Sequence, residues 1–147
     1  MPPASSTIKV VAGLIQQNGE LLICQRRRDG AFALKWEFPG GKVEPGETYE
    51  ESLHRELREE LDIEAQIGPV VYRTRHDYPG AYTVELFFYY VPSYNGIVRN
   101  QAFEQVRWET PDRLAGFDFL AGDAELIVLL SQGKLPLPHT APHPTQE

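Results

Sequence analysis

Glu56, Glu59 and Glu60 stand at i, i+3 and i+4, so a helix turning about 100° per residue projects all three carboxylates from one face. Like charges at that spacing repel by about 0.2–0.5 kcal/mol per pair, and something must offset the repulsion. Two arrangements can do so. A solvated helix face would use Arg55 with Glu59 and Arg58 with Asp62 as i, i+4 pairs. A hard divalent cation, Mg²⁺ or in its place Mn²⁺, would take the same oxygens together with water and substrate phosphates. The neighbouring residues favour the cation. The stretch WEFPGGKVEPGE runs into the same helix and ends on Glu47. Its glycines let backbone groups come close to an anionic ligand and to a metal, which a solvated face does not require. Seven of the 21 acidic residues fall between Glu44 and Glu60, so the charge is gathered here.

These groups need a scaffold. IKVVAGLIQQ and ELLICQRR are β-type runs joined by Asn18-Gly19, a dipeptide suited to a tight hairpin. The Pro- and Gly-rich stretch after Trp36 is expected to be a shaped loop without regular structure. Tyr49, Leu53, Leu57 and Leu61 recur every four residues and predict a helix from Thr48, its cap, to Leu61. IEAQIGPVVYRTRH and YTVELFFYYV read as two long strands, EQVRWE as a short one before a helical turn at Pro111, and residues 120–130 as a last helix. This order predicts an α+β fold, a mixed sheet with helices on its faces. The domain is expected over residues 8–133, with flexible tails at 1–7 and at 134–147, the latter holding four of the twelve prolines.

The 147 residues suit one domain, and 41% hydrophobic content suits a packed core. A net charge of −7 disfavours long nucleic acid and anionic membranes as partners. One cysteine, Cys24, excludes an internal disulfide and reads as a packed thiol; with no long apolar run, the expected address is cytoplasmic. Trp36, Phe38, Tyr78 and Tyr82 are candidates for stacking on a base or, equally, for the core or its rim. His54, His139 and His143 suggest no site. Arg26, Arg27 and Arg28 form a local positive cluster, either a solvated strand end or a partner for phosphates.

The segment GKVEPGETYEESLHRELREELDI, Gly41 to Ile63, resembles the Nudix box: Gly, five residues, Glu, seven residues, Arg-Glu, an aliphatic, any residue, Glu-Glu, any residue, Gly, an aliphatic. Gly41, Glu47, Arg55, Glu56, Leu57, Glu59, Glu60 and Ile63 fit it; Asp62 stands where the family has Gly. ICQRRRDGAFALKWEFPGGKVEPGE and RWETPDRLAGFDFLAGDAELI resemble the MutT-type branch, so the likeness spans about residues 7 to 132.

The resemblance implies an α/β/α sandwich with the Nudix fold and a Mg²⁺-dependent enzyme that splits a nucleoside triphosphate, ordinary, oxidised or otherwise modified, into monophosphate and pyrophosphate. The alternatives are a Nudix enzyme for ADP-ribose, a nucleotide sugar or a dinucleotide, and a non-catalytic nucleotide-binding module. By the same resemblance Glu56, Glu59, Glu60 and the Gly40 carbonyl hold the metal, and Arg55 pairs with Glu47 or a neighbouring carboxylate. Glu56 or Glu104 acts as general base. Arg26 approaches the phosphates, Trp36, Glu37, Phe38, Pro39 and Gly40 run along the substrate, and Asp123 meets the base. A small nucleotide is the expected partner, and the chain a monomer or homodimer.

Overall fold

Strand side chains alternate between two apolar layers. In β1 (Thr7–Gln17), Val11 and Ile15 point to one side and Ala12 and Leu14 to the other. β2 (Glu20–Gln25) divides likewise into Leu22 and Cys24 against Leu21 and Ile23. Burial of both sets means a sheet covered on both faces. The structure, a computed structural model, describes residues 7–80 and 82–137.

The remaining elements follow in order: β3 (Trp36–Glu37), β4 (Gly40–Lys42), α1 (Tyr49–Leu61), β5 (Glu64–Gln66), β6 (Val70–Tyr78), β7 (Tyr82–Val91), β8 (Ser93–Asn95), β9 (Gln105–Glu109) and α2 (Ala124–Ser131). Two short 3₁₀ turns, Pro111–Gly116 and Ala121–Asp123, precede α2. β1 lies at the centre. It runs parallel to β7 over nine pairs, from Thr7 opposite Thr83 to Ile15 opposite Val91. β6 extends the sheet beyond β7; on its other edge β1 meets β4 and then β2, which carries β3 and β9. The β1–β2 turn is the expected hairpin, with Asn18 and Gly19 at φ 54° and 78°.

Each helix closes one layer. Leu53, Leu57 and Leu61 of α1 pack with Val11, Ile15, Leu22 and Val91, while Leu126, Ile127 and Leu130 of α2 pack with Leu14, Val84, Leu86 and Phe88. The mixed sheet and α/β/α layering are as expected. α1 begins on a capping box, in which Thr48 Oγ1 accepts from Glu51 N at 3.0 Å and Glu51 Oε1 accepts from Thr48 N at 2.9 Å. It ends on Asp62 at φ 59°, ψ 39°, the left-handed cap that glycine supplies elsewhere.

Three expectations need correction. The stretch after Trp36 is not free of regular structure, because β3 pairs with β2 and β4 with β1 on either side of Phe38-Pro39. The run from Ile63 to His76 is two strands: Pro69 has no N–H for a ladder, so β5 turns away to pair with β8 while β6 stays in the main sheet. Arg58 does not pair with Asp62; it lies 3.6 Å from Glu64, and Arg99 takes Asp62 at 3.7 Å. The expected tails fall mostly outside the described residues, as do His139 and His143. Thr7 opens β1, and Leu135 and Leu137 rest against the α2-side core. Among the described residues no helix is long and apolar enough to cross a membrane.

Candidate active site

The turn between β3 and β4 is pressed against both the sheet and α1. At Gly40 a Cβ would stand 1.9 Å from the Val11 carbonyl oxygen, and at Gly41 it would stand 2.4 Å from the Glu56 carboxylate. Only glycine admits contacts this close. Side chains fasten the other side of the turn to α1. The buried Ser52 donates its Oγ–H to the Lys42 carbonyl at 3.2 Å, and Arg55 reaches the same carbonyl at 3.4 Å.

Arg55 is the hub. Nε donates to Glu47 Oε2 at 2.6 Å and Nη2 to Glu47 Oε1 at 3.1 Å, while Nη1 lies 3.1 Å from Glu59 Oε1 and 3.3 Å from Glu56 Oε2. The two-point bond lowers the Glu47 carboxyl to about 2. Glu56 and Glu60 behave in the opposite way. Burial, opposed by Arg55 and reinforced by Glu59, raises Glu56. Burial first, then the charges of Glu56 and Glu37, raises Glu60, although its Oε1 accepts from Gly40 N at 3.2 Å. Two half-buried carboxyls, both raised by burial and one of them also by the charge of the other, make a hard-oxygen donor set in want of positive charge, and a dication would supply it. Glu59 is turned outward to Arg55. Among the described residues no three acidic, His or Cys side chains converge into a ready-made metal cage.

Gly40, Gly41 and Glu60 line a cavity of about 300 Å³ together with Ala12, Leu86 and Phe88 of the α2-side core. Arg26, Glu37, Phe38 and Asp123 line it as well. Arg26 donates from Nη1 to Glu37 Oε1 at 3.0 Å and from Nε to the Ala31 carbonyl at 2.8 Å. Burial raises the Glu37 carboxyl, although Arg26 opposes the shift. Asp123, 4% exposed, is pushed up to about 8 by burial and then by Glu37.

Other expected site residues lie off the cavity walls. Trp36 belongs to the α2-side core, edge-on to Phe117 at 5.0 Å, because β3 turns its side chain inward. Pro39 contributes a carbonyl that accepts from Gly13 N at 2.8 Å. Glu104 is held by Arg28 through Nη2 at 2.9 Å and Nε at 3.2 Å, which lowers its pKa. Leu57 and Ile63 are fully buried beneath α1. Sequence reasoning missed Ser52 and Phe32. Ser52 sits beside the leucine stripe and could have been found there, whereas nothing in the sequence marks Phe32.

The model of the NUDIX domain matches residues 7–130. The chain belongs to the NUDIX domain family. It is 35% identical over 120 residues to the CTP pyrophosphohydrolase of Escherichia coli (strain K12), covering 82% of this chain and 88% of that protein. It is 36% identical over 121 residues to the 8-oxo-dGTP diphosphatase of Haemophilus influenzae, with the same shares covered. Among solved structures, the Escherichia coli ORF135 protein superposes with a TM-score of 0.76 at 34% identity, over 84% of this chain and 88% of that one. As a NUDIX domain it departs from the box only at Asp62, whose left-handed conformation does what the family's glycine does.

Proposed function

We propose that this NUDIX protein is a Mg²⁺-dependent nucleoside triphosphate pyrophosphohydrolase, with Mn²⁺ as a substitute metal, acting in the cytoplasm as a monomer or homodimer. One observation carries the reading: the half-buried Glu56 and Glu60 carboxyls meet the Gly40-Gly41 turn, and Glu60 and that turn line a cavity shared with the charged groups of Arg26, Lys42, Glu37 and Asp123. The relatives named for CTP and 8-oxo-dGTP support the substrate class.

The chemistry of the donor set fits a hard dication: carboxylate oxygens of Glu56 and Glu60 with the Gly40 carbonyl would hold it, and Glu59, here turned to Arg55, would have to swing in to join them. Bound Mg²⁺ neutralises charge on the phosphate oxygens and acidifies a water. The protein's own groups do the rest. Arg55 holds Glu47, Glu56 and Glu59 in register and so keeps the turn against the helix. Arg26 carries positive charge to the cavity for the polyphosphate. Glu56, whose pKa burial raises, is better suited to accept the proton of the attacking water than Glu104, which Arg28 neutralises. Asp123 meets the base. Water adds to the β-phosphorus, the α–β bridging bond breaks, and nucleoside monophosphate and pyrophosphate leave. Incubation with a panel of nucleoside triphosphates in ¹⁸O-water tests this: the label is expected in pyrophosphate. Label in the monophosphate, or no cleavage of any triphosphate, would overturn it.

A further inference from the structure

The cavity has a wall that belongs neither to the sheet nor to the acidic helix. The segment joining β2 to β3 closes on itself, Arg26 N donating to the Lys35 carbonyl at 2.8 Å and Leu34 N to the Arg26 carbonyl at 3.1 Å. Phe32 lies near its tip, lines the cavity, is 44% exposed and belongs to neither buried core cluster. Phe32 and Leu34 adopt φ of 53° and 65°, left-handed values that disfavour a bulky residue and that collect at ligand clamps. The Phe32 ring stands 5.4 Å from that of Tyr78, at the end of β6, and the Arg26 guanidinium lies 5.9 Å from its centroid. Tyr78 lines the cavity too. Two aromatic side chains from separate segments therefore pack against each other on the cavity wall, one of them carried by a loop rather than by the core. Ala12, Leu86 and Phe88 add apolar surface to the same cavity.

We infer that Phe32 is a substrate-binding residue that stacks on the nucleobase from the cavity wall, with Tyr78 packed beside it. This rests on the nucleotide reading above. Every base has a π-face, and a ring anchored by a loop can settle on a purine or a pyrimidine at little cost to the fold. The position of Arg26 beneath the same ring ties base stacking to the residue that brings positive charge to the cavity.

Calorimetric binding of CMP and GMP, with inorganic pyrophosphate as the base-free probe and Mg²⁺ present throughout, tests the contact. Phe32→Ala and Phe32→Gly, the latter relieving the positive φ, are each expected to weaken binding of at least one monophosphate by about tenfold. Pyrophosphate binding should not change, and Phe32→Trp should restore the monophosphate. Either of two results would overturn the inference: variants binding both monophosphates like wild type, or an equal loss for pyrophosphate. Absence of monophosphate binding to wild type would overturn it as well. Wild-type protein that binds through Phe32 yet cleaves no triphosphate would sink the proposed reaction and leave the stacking contact standing.

Discussion

Arg55 grips Glu47 by two hydrogen bonds, 2.6 Å from Nε and 3.1 Å from Nη2, and so locks the loop just ahead of the Thr48 cap to the middle of α1. A single-headed cation cannot copy that fork. Arg55→Lys is predicted to lower kcat/KM by about 10- to 100-fold and to raise the Mg²⁺ concentration needed for half activity. A Mg²⁺ titration of both proteins checks this; equal midpoints would refute the orienting role.

Glu60→Gln is predicted to reduce turnover by about two orders of magnitude or more at saturating Mg²⁺ while the chain stays folded, because Leu53, Leu57 and Leu61 are untouched. Circular dichroism and initial rates together decide it. Near wild-type turnover would remove Glu60 from the metal ligands.

Stability without metal should depend on pH through Asp123. Its carboxyl titrates at about 8 in the folded chain, against about 3.9 when unfolded. Between those values the folded state holds a proton the unfolded state has released. Stability therefore falls as pH rises from about 4 to about 8, by at most about 1.4 kcal/mol per pH unit for this group. Glu60, raised in the same sense, adds to the slope. Urea unfolding at several pH values should show a shallower slope for Asp123→Asn, and an identical slope would contradict the assignment.

Asp123→Asn should also reorder preference among bases more than it lowers the overall rate. A carboxyl changes from donor-acceptor to acceptor with pH, whereas an amide always does both. Relative kcat/KM across the four common nucleoside triphosphates is the readout, and an unchanged order would remove Asp123 as a reader of the base.

Gly40→Ala should destabilise the protein by about 1–3 kcal/mol and abolish activity, since the new methyl collides with backbone at Val11 and Ala12 that has no room to give. Gly116→Ala is the control, with open space around it. Thermal unfolding of the two variants separates them.

Much of this is legible in the amino-acid sequence. Leu53, Leu57 and Leu61 gave the helix, Asn18-Gly19 the hairpin, and the spacing from Gly41 to Ile63 the acidic cluster. All of these are local patterns, and local patterns are what periodicity and turn chemistry report. What escaped depends on distant partners. Trp36 looks in sequence like a candidate for stacking on a base, yet strand pairing with β2 turns it into the core. Glu104 looks free until Arg28, 76 positions away, is found holding it. Phe32 could not be picked out because a left-handed phenylalanine leaves no mark in the sequence.

The parallel pairing of β1 with β7 bears on how the protein comes into being. Lys9 and Glu85 are neighbours in space and 76 positions apart in the chain, and every residue of the acidic turn and helix lies between them. Until β7 has been synthesised and has docked, Val11 lacks the strand that fixes it, and the turn that packs on Val11 has no firm support. The carboxylates of the turn and helix thus depend on a slow, non-local closure. A nascent chain is expected to set this turn and helix in place only after about the first ninety residues have left the ribosome.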